Sequence, residues 1–312
     1  MSLLATNDGD LADYFNRPIG AGRAPTRLLD PLIAVPTTAG TGAESTPVCI
    51  VGIHALRLKT GISPPALRPR LAIVDPLLTM SLPRGVTIAS GMDVLCHALE
   101  SYTARPYDQR TGATNPASRP AYNGANPISD IWATEALQLL GRWLRRAVDR
   151  PDDLEAREGM MLAATFAGIG FGIAGVHIPH ACAYPITGLV RGYHAADYPT
   201  TEALVPHGLA VVATAPAAFR FTYPTSPARH EEAARLLGYR HAGDGIDALP
   251  EAIAGICRDL GAPRGLIAYA YGPGDVNALV DGALAQQRLL AVSPRDVTRH
   301  DLATIVRQSF ES

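Results

Sequence analysis

Lysine is almost missing from this chain. Of 27 basic residues only Lys59 is a lysine, which makes that position easy to follow. Net charge is also missing: 29 acidic residues bring the formal balance to -2, so there is no electrostatic case for nucleic acid or an anionic membrane surface as a partner. The four cysteines, Cys49, Cys96, Cys182 and Cys257, are scattered with no CxxC pair. In a chain this long they make neither a disulfide frame nor a zinc knuckle, and a reducing cytoplasm fits best. No apolar run is long enough to span a bilayer, and the first residues lack a signal-peptide layout. What is present is 312 residues, 47% of them hydrophobic, enough for one large or two ordinary domains around a sizeable core.

Along the chain, residues 1–30 are polar and punctuated by Gly and Pro. Pro31 to Thr37 reads as a short buried strand ending in the loop TTAGTGAES. Val48 to Ile62 reads as a hairpin, and Leu71 to Val74 as another buried strand closed by Asp75-Pro76. After about residue 84 helical spacing takes over, with segments near 91–104, 127–148, 153–173, 175–189, 206–218, 228–238, 247–260, 274–290 and 298–310. Between the first two lies a Pro/Asn/Gly-rich loop at 105–126, long enough to imply function or mobility. The expected architecture is a small α/β portion over 1–83, then an all-helical domain over 84–312.

The stretch Gly91 to Tyr102, GMDVLCHALESY, carries Asp93 and His97 at i and i+4, on one face of a helix beginning there. Taken alone, such a pair is more often a solvated face than a site. Its meaning depends on further ligands. His177, His180 and His207 lie in apolar or Gly-rich helical settings where a charged surface imidazole is unusual. Singly, each reads as a buried histidine held by a hydrogen bond. Together with Asp93 the histidines allow a site of one carboxylate and three imidazoles, a donor set suited to Fe(II), Zn(II) or Mn(II).

Four ordered motifs, PTTAGTGAES, GMDVLCHALESY, GVHIPHACAYPITG and LVPHG, resemble the iron-containing (group III) alcohol dehydrogenases. RPAYNGANPISDIWA, FAGIGFG and the Tyr-Pro after HACA resemble more narrowly the hydroxyacid-oxoacid transhydrogenase branch. The resemblance runs over nearly the whole chain. It implies a Rossmann-like nucleotide-binding domain, here lacking its first half, followed by an all-α metal-binding domain of dehydroquinate synthase-like architecture. It implies Asp93, His97, His180 and His207 as ligands of a divalent metal, Fe2+ first and Zn2+ second. It further implies Thr37, Thr38 and Thr41 in the loop on a nicotinamide cofactor, NAD, and Lys59 near its ribose. The implied reaction passes a hydride from 4-hydroxybutyrate through bound NAD to 2-oxoglutarate, giving succinic semialdehyde and 2-hydroxyglutarate. Arg105, Arg110, Arg119 and Arg191 are candidate partners for the substrate carboxylates.

Two departures from the family pattern stand out. Tyr184 occupies the position, four residues after His180, where many family alcohol dehydrogenases carry a histidine as proton relay. The transhydrogenase branch has tyrosine there too, and the phenol is a candidate catalytic group. The Gly-Gly-Gly-Ser turn that cradles pyrophosphate in relatives is not found, so an N-terminal truncation is expected. The early strands then lose sheet neighbours and present an edge prone to association, making a homo-oligomer an expected partner state. Rival readings are a simple NAD(P) alcohol dehydrogenase, a metal-binding helical fragment without activity, and a metal-assisted hydrolase or lyase; the threonine loop speaks against the last.

Overall fold

One helix, α2 (Arg84–Thr103), runs through the middle of the molecule, and it is apolar almost all round. Met92, Val94, Leu95, Cys96, Ala98 and Leu99 are all wholly buried, as expected of a helix surrounded by others rather than lying on a surface. It begins earlier than its sequence pattern implies. Pro83 precedes Arg84 with φ −59, a value already suited to helix entry. Gly91, read as the start, is an interior residue where a neighbour comes close: a Cβ there would lie 2.3 Å from Leu144 Cδ1.

The computed structural model describes the chain apart from residues 1, 18, 54–57, 113–118, 199, 240–244 and 312, and apart from the side chains of residues 58 and 59. Ahead of α2 come α1 (Ser2–Thr6), β1 (Ile33–Ala34), β2 (Cys49–Ile53), β3 (Leu58–Ile62) and β4 (Leu71–Ala72). Behind it follow α3 (Pro127–Asp149), α4 (Leu154–Ala174), α5 (Ile178–Gly188), α6 (His207–Val212), α7 (Ala215–Thr222), α8 (Pro227–Leu236), α9 (Ala248–Leu260), α10 (Val276–Leu284), α11 (Gln287–Leu290) and α12 (Arg299–Gln308). Helices α3, α4 and α6 pack on α2. Start signals sit where the sequence places them. The Asn126 side chain accepts from the Ile128 and Ser129 amides, and Asp153 accepts from that of Ala156.

The segment at 206–218 is two helices rather than one, because Pro216 in the first turn of α7 has no N–H to continue the ladder from α6. The segment at 274–290 is likewise divided, at Ala285 and Gln286. The long loop is tied at both ends: the Arg105 amide donates to the Val292 carbonyl, and the Asn123 amide to that of Ile173.

The strands form two separate two-stranded sheets among the described residues. β2 and β3 are the expected antiparallel hairpin, with Cys49 opposite Ile62. β1 and β4 pair in parallel, Ile33 with Leu71 and Ala34 with Ala72. Both were expected to be buried, and they are not: Ile33 and Leu71 are each more than half exposed. Parallel strands are normally covered on both faces by helices; these apolar runs mark strands that the described residues leave more than half exposed at Ile33 and Leu71.

Candidate metal centre

Asp93, His97 and Glu100 fall at i, i+4 and i+7 of α2, so one face of this otherwise apolar helix carries two carboxylates and an imidazole. All three are buried, Glu100 completely. His97 is held flat between rings, stacked on Phe171 at 4.1 Å and on His180 at 4.5 Å. Its Nδ1 lies 3.7 Å from Asp93 Oδ1. The other carboxylate oxygen, Oδ2, accepts a 3.2 Å hydrogen bond from the Thr41 hydroxyl, which fixes the rotation of the group.

Helix α5 brings His180 to the same point. Pro179 sits in its first turn, where no N–H is needed. Glu100 reaches across from α2 to accept from the His177 amide at 2.5 Å, placing a carboxylate at the positive end of α5. Its second oxygen accepts from His180 Nδ1 at 2.5 Å. That bond sets the imidazole tautomer and turns Nε2 toward Asp93 Oδ1, 3.5 Å away. His177, the third histidine of this group of motifs, is buried but serves the frame: its Nε2 pairs with the Thr103 hydroxyl at 3.2 Å.

His207 enters from α6, with Nε2 3.8 Å from Asp93 Oδ1. Its position depends on the next residue. A Cβ at Gly208 would lie 1.9 Å from the Ala89 carbonyl, so only glycine lets α6 approach α2 this closely. Unlike the other three, the His207 side chain is 39% exposed and stands at the rim.

The donor set fits a cation. Asp93 Oδ1, His97 Nδ1 and His180 Nε2 are buried without hydrogen-bond partners, an expensive arrangement unless something else satisfies them. The three lie within 4.8 Å of one another. Nitrogen-to-oxygen separations of 3.5 to 3.8 Å about Asp93 Oδ1 are near the edge of a tetrahedron with bonds of roughly 2.1 Å, about 3.4 Å. Charge leads to the same conclusion. Burial pushes the Asp93 and Glu100 carboxyls up, but the surrounding imidazoles outweigh it and hold both below the usual range. Burial pushes His97 down to about 3, whereas at His180 the two carboxylates overcome burial and raise it to about 9. Two buried carboxylates that stay ionised call for positive charge, which His180 supplies in the metal-free chain and a bound cation would supply in its place.

Of the other residues singled out from the sequence, Thr41 touches the centre directly, while Thr37 and Thr38 lie exposed in the loop after β1. Lys59 is a β3 residue opposite Gly52, and its side chain is outside the described set. Tyr184 lines the cavity beside the imidazoles. Burial, partly offset by Arg288, pushes its phenol up to about 12, so the hydroxyl keeps its proton. The candidate arginines are elsewhere engaged or exposed: Arg105 pairs with Asp296, Arg191 with Asp275, Arg110 donates to the Tyr122 carbonyl, and Arg119 is exposed. Sequence reading missed Glu100 and Arg288. The first carries a signal, its seven-residue spacing from Asp93; the second carries none, being one arginine among many.

Residues 121–310 match the family described as Fe-containing alcohol dehydrogenase family, C-terminal, and residues 1–76 match Iron-containing alcohol dehydrogenase. The chain is 48% identical to "Hydroxyacid-oxoacid transhydrogenase, mitochondrial" of Bos taurus over 309 residues, covering 97% of this chain and 66% of that protein. It thus spans about two thirds of the length of the curated relatives it matches. Among solved structures it resembles an alcohol dehydrogenase from Oenococcus oeni (TM-score 0.82, 26% identity, 99% of this chain and 72% of that one). It also resembles a sulfoacetaldehyde reductase from Bifidobacterium kashiwanohense solved with NAD+ (TM-score 0.78, 30% identity, 98% and 70%).

Proposed function

The chain belongs to the iron-containing alcohol dehydrogenase family, and from that premise we propose that it serves a metal-dependent hydroxyacid-oxoacid transhydrogenase. The donor is 4-hydroxybutyrate and the acceptor 2-oxoglutarate. The donor gives up a hydride from its carbinol carbon and a proton from its hydroxyl; the acceptor's keto group takes up both equivalents. The products are succinic semialdehyde and 2-hydroxyglutarate. The observation that carries this reading is the meeting of three unpartnered buried ligand atoms, from Asp93, His97 and His180, within 4.8 Å of one another, with the two histidines lining one cavity.

Asp93, His97, His180 and His207 are the residues that would hold the metal, Fe2+ by the family's chemistry and with a donor set that also accepts Zn2+. When bound, the metal supplies Lewis acidity at a substrate oxygen, and NAD supplies a two-electron store between the half-reactions. Glu100 holds the His180 tautomer and Thr41 holds the Asp93 carboxylate. Phe171, Val176 and Leu289 keep water from the cavity wall. Tyr184, its proton retained, acts as a hydrogen-bond donor to a substrate oxygen. Thr37, Thr38 and Lys59 are assigned to the cofactor side by family resemblance. All four cysteines are free, and no single described helix is long and apolar enough to cross a membrane. We place the protein in a reducing compartment, cytoplasm or mitochondrion, the Bos taurus relative being named mitochondrial.

The test is anaerobic metal analysis together with chromatographic detection of 2-hydroxyglutarate from 4-hydroxybutyrate and 2-oxoglutarate. Metal retained in both Asp93→Asn and His207→Ala would defeat the ligand assignment. Steady reduction of added NAD by simple alcohols, with no response to 2-oxoglutarate, would make the protein a plain alcohol dehydrogenase.

A further inference from the structure

Arg288, on the short helix α11, lines the cavity that His97, His180 and His207 open into. Among the described residues that line this cavity it is the one Lys or Arg. Its guanidinium lies over the Tyr122 ring, 4.8 Å from the centroid, and interacts with the phenols of Tyr122 and Tyr184. Its Nη1 is buried and has no hydrogen-bond partner. Among the described residues no carboxylate forms an ion pair with it, whereas Arg105, Arg145, Arg146, Arg191, Arg220, Arg229 and Arg299 each have one. A buried guanidinium left without a counter-charge is costly, and ring contacts do not remove that cost. The fork geometry of the group matches a carboxylate, which can take two parallel N–H bonds.

We propose that Arg288 is the anchor for the substrate carboxylate, so that the cavity takes short acids bearing an oxygen at the far end in preference to uncharged alcohols. The inference deepens the transhydrogenase reading and rests on it for the identity of the substrate. The acid's hydroxyl or carbonyl end lies toward Asp93 and the imidazoles, and its carboxylate toward Arg288. Tyr122 and Tyr184 position the guanidinium from the sides. An adjoining cavity of about 300 Å³ shares Thr41, Val48, Ile50, Tyr184 and His207 with this one and gives the carbon chain room. An uncharged diol of the same length leaves Nη1 unpaired, and that penalty is the source of the discrimination.

The experiment is a calorimetric titration of the zinc-loaded chain with 4-hydroxybutyrate and, separately, with 1,4-butanediol. The proteins are wild type, Arg288→Met and Arg288→Lys. The wild type is expected to favour the acid. In Arg288→Met the ratio of acid to diol affinity falls about 30-fold or more, and Arg288→Lys lies between. Metal content and Tm distinguish a lost anchor from a lost fold: Arg288→Met is expected to keep its metal and to melt no lower than wild type, since it removes an unpaired charge. An unchanged ratio in Arg288→Met, or no preference for the acid in wild type, would overturn the proposal. A chain that binds the acid in an Arg288-dependent way but transfers no hydride would support this site and defeat the proposed reaction instead.

Discussion

Leu28 is 95% exposed, while Leu95 and Leu99 are wholly buried. The contrast separates two regions. Among the described residues before α2, Leu3, Tyr14, Phe15 and Ile62 form a small core of their own, Ala39 joins the large one, and Leu28, Ile33, Leu71 and Ile73 are left at least half exposed. From α2 onward a single large cluster runs through most of the helices. The metal centre belongs to the second region, with all four proposed ligands and Glu100 on helices. The first region contributes one bond, from Thr41, and part of the cavity wall through Val48 and Ile50. On the proposed ligand set, metal affinity would be set by the helices, with the strands closing the site.

The largest expected effect tests that division at its centre. Asp93→Asn should lower metal affinity at least about 1,000-fold in a competitive chelator titration, because the ligand oxygen loses its charge. Glu100→Gln should cost about 10- to 100-fold, since Gln keeps the shape but weakens the hold on His180. A comparable loss from Ile33→Lys would break the comparison. Next is Gly208→Ala, whose methyl would collide with the Ala89 carbonyl. Thermal unfolding should show at least about 3 kcal/mol lost, and metal uptake should fall with it as His207 is displaced.

A pH effect should follow, also confined to the helices. His230 is buried and neutral, with Nδ1–H donating to the Ser226 carbonyl at 2.9 Å and Nε2 accepting from Thr222 at 2.9 Å. Burial pushes it down to about 4. Because the folded value lies below the unfolded one, its contribution is present above pH ~6.5 and is lost as pH falls toward 4, on the order of 2–3 kcal/mol. Denaturant titrations of wild type and His230→Asn across that range should differ in slope. The smallest effect belongs to the strands. Ile33→Lys with Leu71→Lys should change stability by no more than about 0.5 kcal/mol and reduce self-association in sedimentation, as charges on an edge do.

The same division governs how far the sequence could be read. Helices α3 and α4 are legible because their caps and periodicity are local, and His97, His180 and His207 stand out as imidazoles in apolar surroundings, while their grouping with Asp93 as proposed ligands came from family resemblance. Glu100 was hidden because its partners, the His177 amide and His180 Nδ1, lie on another helix. Gly91 resembled a start because its real neighbour, Leu144, is distant in sequence. The exposure of β1 and β4 was not legible either: an apolar run implies burial only when something covers it, and cover is a property of the assembled fold. Arg288 was obscured by abundance, since arginines are common here and the ion pairs of the others mark it out only in three dimensions.

The exposure of His207 separates how tightly a metal is held from how quickly it exchanges. Three of the proposed ligands, Asp93, His97 and His180, are enclosed on α2 and α5, and the fourth, His207, is part-exposed. A competing chelator would reach the ion from the His207 side, with swinging of that ring as the gate. Replacing His207 should therefore speed metal release more than it weakens binding, and replacing His97 should do the reverse.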